Sequence, residues 1–152
     1  MLMSTSLKLQ IEEALKQAMR DRDEVQKRTL RMVIAAMKLA QVGRSEPLTD
    51  EEVLAILQKE VKSRQETIRD AERANRADMV RDAEDEIAVL KTFLPQAMSA
   101  DALDALVRQV ITDVGATDLK QMGAVVKEVM ARAQGRAPGS EVSAAVRKAL
   151  QG

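Results

Sequence analysis

Lys120 and Lys127 stand seven residues apart with Gly123 and Ala124 between them, and on a helix of about 3.6 residues per turn that spacing puts both ammonium groups on nearly one line. Two cations beside a strip with almost no side chain would let a phosphate backbone lie close while the lysines hold it. The same residues also have a structural reading, in which Gly123 permits close helix packing and the lysines are solvated. Further on, Gly135-Arg136-Ala137-Pro138-Gly139-Ser140 joins a helix end, a cation and the start of another helix. Free backbone N–H groups at such a start, with the positive end of the helix dipole, favour an anion. Any helix–loop–helix joint needs similar residues, with Gly135 as the stop and Ser140 as the N-cap. Together with Arg132, the candidate nucleic-acid contacts are Lys120, Gly123, Lys127, Arg132, Gly135, Arg136 and Gly139.

Charge supports a local patch and not a general polyanion binder. The 24 basic and 24 acidic residues of the chain cancel. Residues 119–152 carry Lys120, Lys127, Arg132, Arg136, Arg147 and Lys148 against Glu128 and Glu141, a net of +4. A second basic set, Arg20, Lys27, Arg31 and Lys38, falls within about 40° of arc if one helical phase runs through the turn between them. Long side chains covering apolar surface explain such stripes more often than anion binding does.

The absent residue types narrow the chemistry. Among 152 residues there is no His, Cys, Trp or Tyr, and one aromatic, Phe93. A Cys/His pair, a Ser-His-Asp triad, a zinc site with N and S ligands, a disulfide, and haem or iron–sulfur ligation all require residues the chain lacks. One ring provides no platform for stacking unpaired bases. The phosphate-binding patterns Gly-x-x-x-x-Gly-Lys-Ser/Thr and Gly-x-Gly-x-x-Gly are missing as well. The carboxylate run Asp82, Glu84, Asp85 and Glu86 reads as a solvated helix face, because Val80, Ala83 and Ile87 take the inward phase. No catalytic residue, metal site or cofactor is expected.

These candidates depend on helices to position them. Ala, Leu, Met, Glu, Lys, Arg and Gln dominate between three prolines and six glycines, so the expected class is all-α. A first helix from about Leu7 to Arg20 turns Ile11, Leu15, Ala18 and Met19 inward, and Asp21-Arg22-Asp23 turns the chain. A second, from about Glu24 to Val42, groups Leu30, Val33, Ala36, Met37 and Ala40, and Met32, Ile34 and Leu39 widen its apolar surface as in a central helix. Thr49 with Glu52 forms a capping box. A long hairpin over residues 50–94 follows, broken near Asn75, with Leu54, Leu57, Val61, Ile68 and Ala71 on one arm and Val80, Ala83, Ile87, Leu90 and Leu94 on the other. After Leu94-Pro95, helices capped by Ser99 and Thr117 and a last one opened by Pro138-Gly139-Ser140 make a small three-helix bundle. The expected domains are 1–95 and 96–152. The longest apolar run, Met32–Met37, is too short to span a membrane, and the N-terminal residues do not read as a leader, so a cytoplasmic location is expected.

Several strings carry a resemblance. Ala74-Asn75-Arg76-Ala77-Asp78, the later Glu86-Ile87-Ala88-Val89-Leu90-Lys91-Thr92-Phe93-Leu94-Pro95, and Met122-Gly123-Ala124-Val125-Val126-Lys127 through Gly135-Arg136-Ala137-Pro138-Gly139 resemble the GatB/YqeY family, in order and over nearly the whole chain. The resemblance implies an N-terminal helical part with a long hairpin and a small C-terminal three-helix domain. Members stand alone as YqeY-like proteins, or form the C-terminal tail of GatB and GatE, subunits of the tRNA-dependent amidotransferases, which are carbon–nitrogen ligases with glutamine as amide donor. In those enzymes the tail handles tRNA, while the glutaminase and phosphorylation chemistry lies in other domains. By this resemblance the expected partner is tRNA, together with a translation or amidotransferase protein. The sequence departs from the family pattern at Ala124 and Gln121, where a basic and an acidic residue are common, and at Pro138, Asn75 and Phe93, in place of Asp, Gly and Tyr. The alternative expectation is an adaptor whose hairpin docks on a translation-related enzyme.

Overall fold

The structure, a computed structural model, describes residues 6–152, and among these it is all-helical, without strands. The elements are α1 (Leu7–Asp21), α2 (Glu24–Gln41), α3 (Asp50–Arg73), α4 (Ala77–Lys91), α5 (Ala100–Val114), a 3-10 turn (Leu119–Gln121), α6 (Met122–Ala133) and α7 (Gly139–Gln151). Contacts divide the chain into two units, one ending at Leu94 and the next beginning at Pro95.

In the first unit the helix ends are set by local chemistry. The Ser6 and Asp23 side chains accept the backbone N–H of Leu9 and Gln26 at the starts of α1 and α2. Thr49 and Glu52 form the reciprocal capping box of α3. Such caps contribute about 1 kcal/mol each, by satisfying N–H groups that the helix cannot. Arg22 (φ 55°) and Asn75 (φ 58°) adopt the left-handed conformation that ends α1 and divides α3 from α4, so residues 50–91 are a hairpin. An Asp50 Oδ1 that accepts the Leu7 N–H at 2.9 Å ties the starts of α1 and α3.

The core of this unit is Ile11, Leu30, Val33, Val53, Leu57 and Leu90, all without solvent exposure, with Leu7, Met37, Leu48 and Val61 around them. Fully burying each large aliphatic side chain contributes about 1.5–3 kcal/mol, against about 0–1 for an exposed ion pair, so this cluster decides the packing. α2 packs on α1, α3 and α4 and is central as expected. Its apolar surface is less buried than its composition suggests, however: Ala40, Met32 and Leu39 are exposed, and Met19 of α1 is too. The phase assumed for the second basic set is broken at Arg22, which leaves Arg20 on α1, apart from Lys27, Arg31 and Lys38 on α2.

The expected solvated face of α4 holds at Asp82, Glu84 and Asp85, which are exposed, but Glu86 turns instead into a buried polar cluster. Arg64 occupies a core phase of α3 and its side chain is only 10% exposed. Its Nε donates to Glu86 Oε1 at 3.2 Å, and its Nη1 donates to the carbonyl and Oε1 of Glu60 at 3.1 and 3.3 Å. Arg28 of α2 pairs with Glu86 and with Asp82, both at 3.8 Å. Glu86 therefore binds α4 to α3 and α2, while Asp82, Glu84 and Asp85 are exposed, Asp82 with only its long contact to Arg28.

The second unit is a three-helix bundle in which α5, α6 and α7 all pack on one another. Its fully buried side chains are Val107, Val110, Val125, Val129, Val142 and Val146. Ser99 caps α5 by accepting the Ala102 N–H, and Gly115 (φ 71°) ends it. Two expected caps are replaced. Asp118 and not Thr117 opens the 3-10 turn, with Gln121 Oε1 accepting the Thr117 N–H at 2.6 Å. Pro138 holds the N-cap position of α7 without a side-chain bond, and Ser140 lies inside the helix.

Candidate nucleic-acid interface

The C-terminal unit places its seven candidate residues on the 3-10 turn, α6, the loop that follows it and α7. Lys120 sits on the 3-10 turn, and Gly123, Lys127 and Arg132 sit on α6. Gly135 and Arg136 lie in the loop, and Gly139 is the first residue of α7. The tighter winding before Met122 means that one α-helical register does not run from Lys120 to Lys127. α7 packs against both α6 and the 3-10 turn, which keeps this part of the surface on one rigid scaffold.

Lys120 and Lys127 are exposed, and among the described residues neither forms an ion pair within 4 Å. Gly123 is exposed within the first turn of α6, and a Cβ built on it would meet nothing within 4 Å. Close helix packing therefore does not account for glycine there, although glycine costs a helix roughly 1 kcal/mol relative to alanine. Ala124 beside it is exposed as well, so the first turn of α6 is open there.

The arginines are arranged differently. Arg132 is compensated: its Nη1 donates to Asp113 Oδ2 at 2.7 Å and its Nε to Glu128 Oε1 at 3.0 Å. This guanidinium, with Gln109, holds the Asp113 carboxyl below the usual range, and Asp113 and Glu128 hold the Arg132 pKa up. Arg136 fastens the loop to the segment that enters the unit. Its Nε donates to the Gln96 carbonyl at 2.9 Å, and its own carbonyl accepts the Met98 N–H at 2.8 Å. No carboxylate neutralises it within 4 Å among the described residues. Gly135 has φ 80° and follows Gln134, which is itself left-handed at φ 50°; the helix end takes two such residues where glycine alone was expected.

Arg147 and Lys148, counted in the regional charge but not among the candidate contacts, are exposed on α7. With Ser140, Ser143 and Gln151 they line a shallow depression of about 590 Å³. The Arg-Lys pair near the end of the chain was the sequence signal for them. Among the described residues no group of three or more carboxylates is placed to hold a metal ion, and no helix is long and apolar enough to cross a membrane.

Two helical units, the first built on a long hairpin and the second a small three-helix bundle, define the class of protein. The family described as Yqey-like protein matches residues 8–150, and the chain belongs to it. A search among curated proteins gave no match.

Proposed function

We propose that this YqeY-like protein is a tRNA-binding helper, without an active site of its own, that holds the phosphate backbone with its C-terminal unit. The observation that carries this reading is Gly123. It weakens α6 and serves no packing, yet it opens the surface between two unpaired lysines, where a phosphodiester backbone needs room to approach. Lys120 and Lys127 act as point charges on phosphates, and Arg136, with its charge uncompensated, extends the patch toward the start of α7. The net charge of +4 over residues 119–152 favours a polyanion there despite a neutral chain. Residues 122–139 resemble the amidotransferase tail, which supports a tRNA ligand and kinship with those enzymes without their chemistry.

Such binding is ionic and tolerant of sequence, since phosphate contacts position a protein without reading bases. A tRNA gel shift at two salt concentrations tests it. The wild type is expected to bind weakly and to lose affinity steeply with salt, with a log–log slope of about 0.7–0.9 for each phosphate contact. Equal binding by wild type and a folded Lys120→Ala/Lys127→Ala/Arg136→Ala variant would overturn the reading.

A further inference from the structure

The hairpin's apolar stripe is consumed within its own unit, but α2 carries a second apolar row that is not. Leu30, Val33 and Met37 face the core, while Met32, Leu39 and Val42 are 55%, 76% and 75% exposed, with Ala35 exposed between them. On α2 the positions 32, 35 and 39 follow the 3-4 spacing of a coiled-coil seam, with Met32 and Leu39 at a and Ala35 at d, and the exposed Val42 caps the helix just beyond them with ψ 130°. In that register the g positions are Arg31 and Lys38.

These two cations distinguish the row from scattered surface hydrophobes. On the same helix Lys27 pairs with Glu24 at 3.5 Å and Arg28 is taken up by Glu86 and Asp82. Arg31 and Lys38 are exposed, and among the described residues neither forms an ion pair. From Met32, at the rim of a groove it shares with Arg64, Asp82 and Glu86, to Leu39, the outer face of α2 thus presents an apolar row flanked by two unpaired cations. In a coiled coil the edge charges choose the partner.

We infer that the outer face of α2 is a docking surface for an amphipathic helix of another protein, one with an apolar seam and carboxylates along its facing edge. A second copy of this chain fits poorly. Antiparallel pairing through this face opposes Arg31 and Lys38 to the same cations, and parallel pairing sets them against Ala36 and Gly43, which carry no counter-charge. This surface belongs to the first unit and is independent of the tRNA reading.

The test uses the whole protein and two fluorescently labelled three-heptad peptides with Leu at a and d, one carrying Glu at e and g and the other Lys. By anisotropy the wild type is expected to bind the Glu peptide about tenfold more tightly than the Lys peptide, since edge charges set specificity. Leu39→Glu should abolish binding, and Arg31→Glu/Lys38→Glu should reverse the preference. All these positions are exposed, so circular dichroism should show unchanged helix content. Absence of binding to the Glu peptide, equal affinity for both peptides, or binding retained in Leu39→Glu would overturn the inference. So would self-association in sedimentation that Leu39→Glu removes. Leu39-dependent binding to phosphatidylglycerol vesicles in place of the Glu peptide would assign the face to a membrane surface instead.

Discussion

Arg64 and Glu86 meet across the α3–α4 hairpin at 3.2 Å, with the arginine side chain nine-tenths buried. A guanidinium at a core position is tolerated because carboxylates on both its own helix and the opposite arm satisfy it. The pair specifies which phase of α4 faces α3, since any rotation of α4 would leave a buried charge alone.

Arg64→Met should therefore destabilise the protein by about 1–3 kcal/mol, because Glu86 is left half-enclosed with only the longer contact to Arg28. Arg64→Met/Glu86→Leu should recover a large part of that loss, since an apolar pair of similar volume needs no counter-charge. Urea unfolding followed by circular dichroism measures both; a double variant no better than the single one would show that the ions themselves are required.

Acid should loosen the start of α3. The Arg44 guanidinium beside Glu52, helped by the Thr49 backbone, holds the Glu52 carboxyl down at about 2. A carboxylate depressed in the folded state adds stability that is fully present above its unfolded value, about 4.3, and is lost as the pH falls toward 2. Asp113 and Asp78, lowered by Arg132 and Arg76, act in the same direction. The melting temperature of wild type should exceed that of Arg44→Met at pH 7, and the two should converge on acidification. Carboxyl NMR titration of Glu52 reports the depressed value directly.

The compensation of Arg132 separates structural from ligand-facing cations. Arg132→Ala should weaken tRNA binding only through the local charge and leave the salt slope unchanged, whereas Lys127→Ala should weaken binding to all tRNAs alike and remove about one contact from the salt slope. Glu128→Gln, which frees part of the Arg132 charge, should tighten binding. Gel shifts over a salt series measure all three.

Gly123→Ala should raise the melting temperature, by up to about 1 kcal/mol of helix propensity, because the Cβ meets nothing. The same substitution, and more strongly Gly123→Leu, should lower tRNA affinity if a backbone lies on that strip. Higher stability with undiminished binding would show that the ligand does not approach α6 there.

At Asn75, φ 58° is costly for a β-branched residue. Asn75→Val should cost about 1–2 kcal/mol and Asn75→Gly should be neutral or slightly stabilising. Thermal melts of the two variants measure the difference.

What the sequence made legible follows from how local each feature is. The Thr49–Glu52 box, the Ser99 cap, the Asn75 break and the Gly115 stop are each decided within a few residues of chain, and each stands where the residue types put it. Arg64 and Glu86 lie 22 residues apart and acquire meaning only when α4 folds back. Periodicity had marked Leu54, Leu57, Val61, Ile68 and Ala71 as inward and passed over position 64, where an arginine gave no reason to expect burial. Arg132 read as a free cation for the same reason: Asp113, its neutralising partner, is on a different helix. The exposure of Leu39 was also hidden, because an apolar side chain opposite a core face looks like added core width until the neighbouring helices are in place.

The second unit runs only from Pro95 to Gly152, and its innermost layer is entirely valine. A valine in a helix already holds one χ1 rotamer, so burying it freezes little motion that helix formation had not frozen, whereas each leucine would surrender about 0.5–1 kcal/mol of rotamer entropy. Short branched side chains also draw the three helix axes close. Val129→Leu should therefore wedge α6 away from its neighbours, at about 1–3 kcal/mol, and loosen the bundle that carries the basic surface.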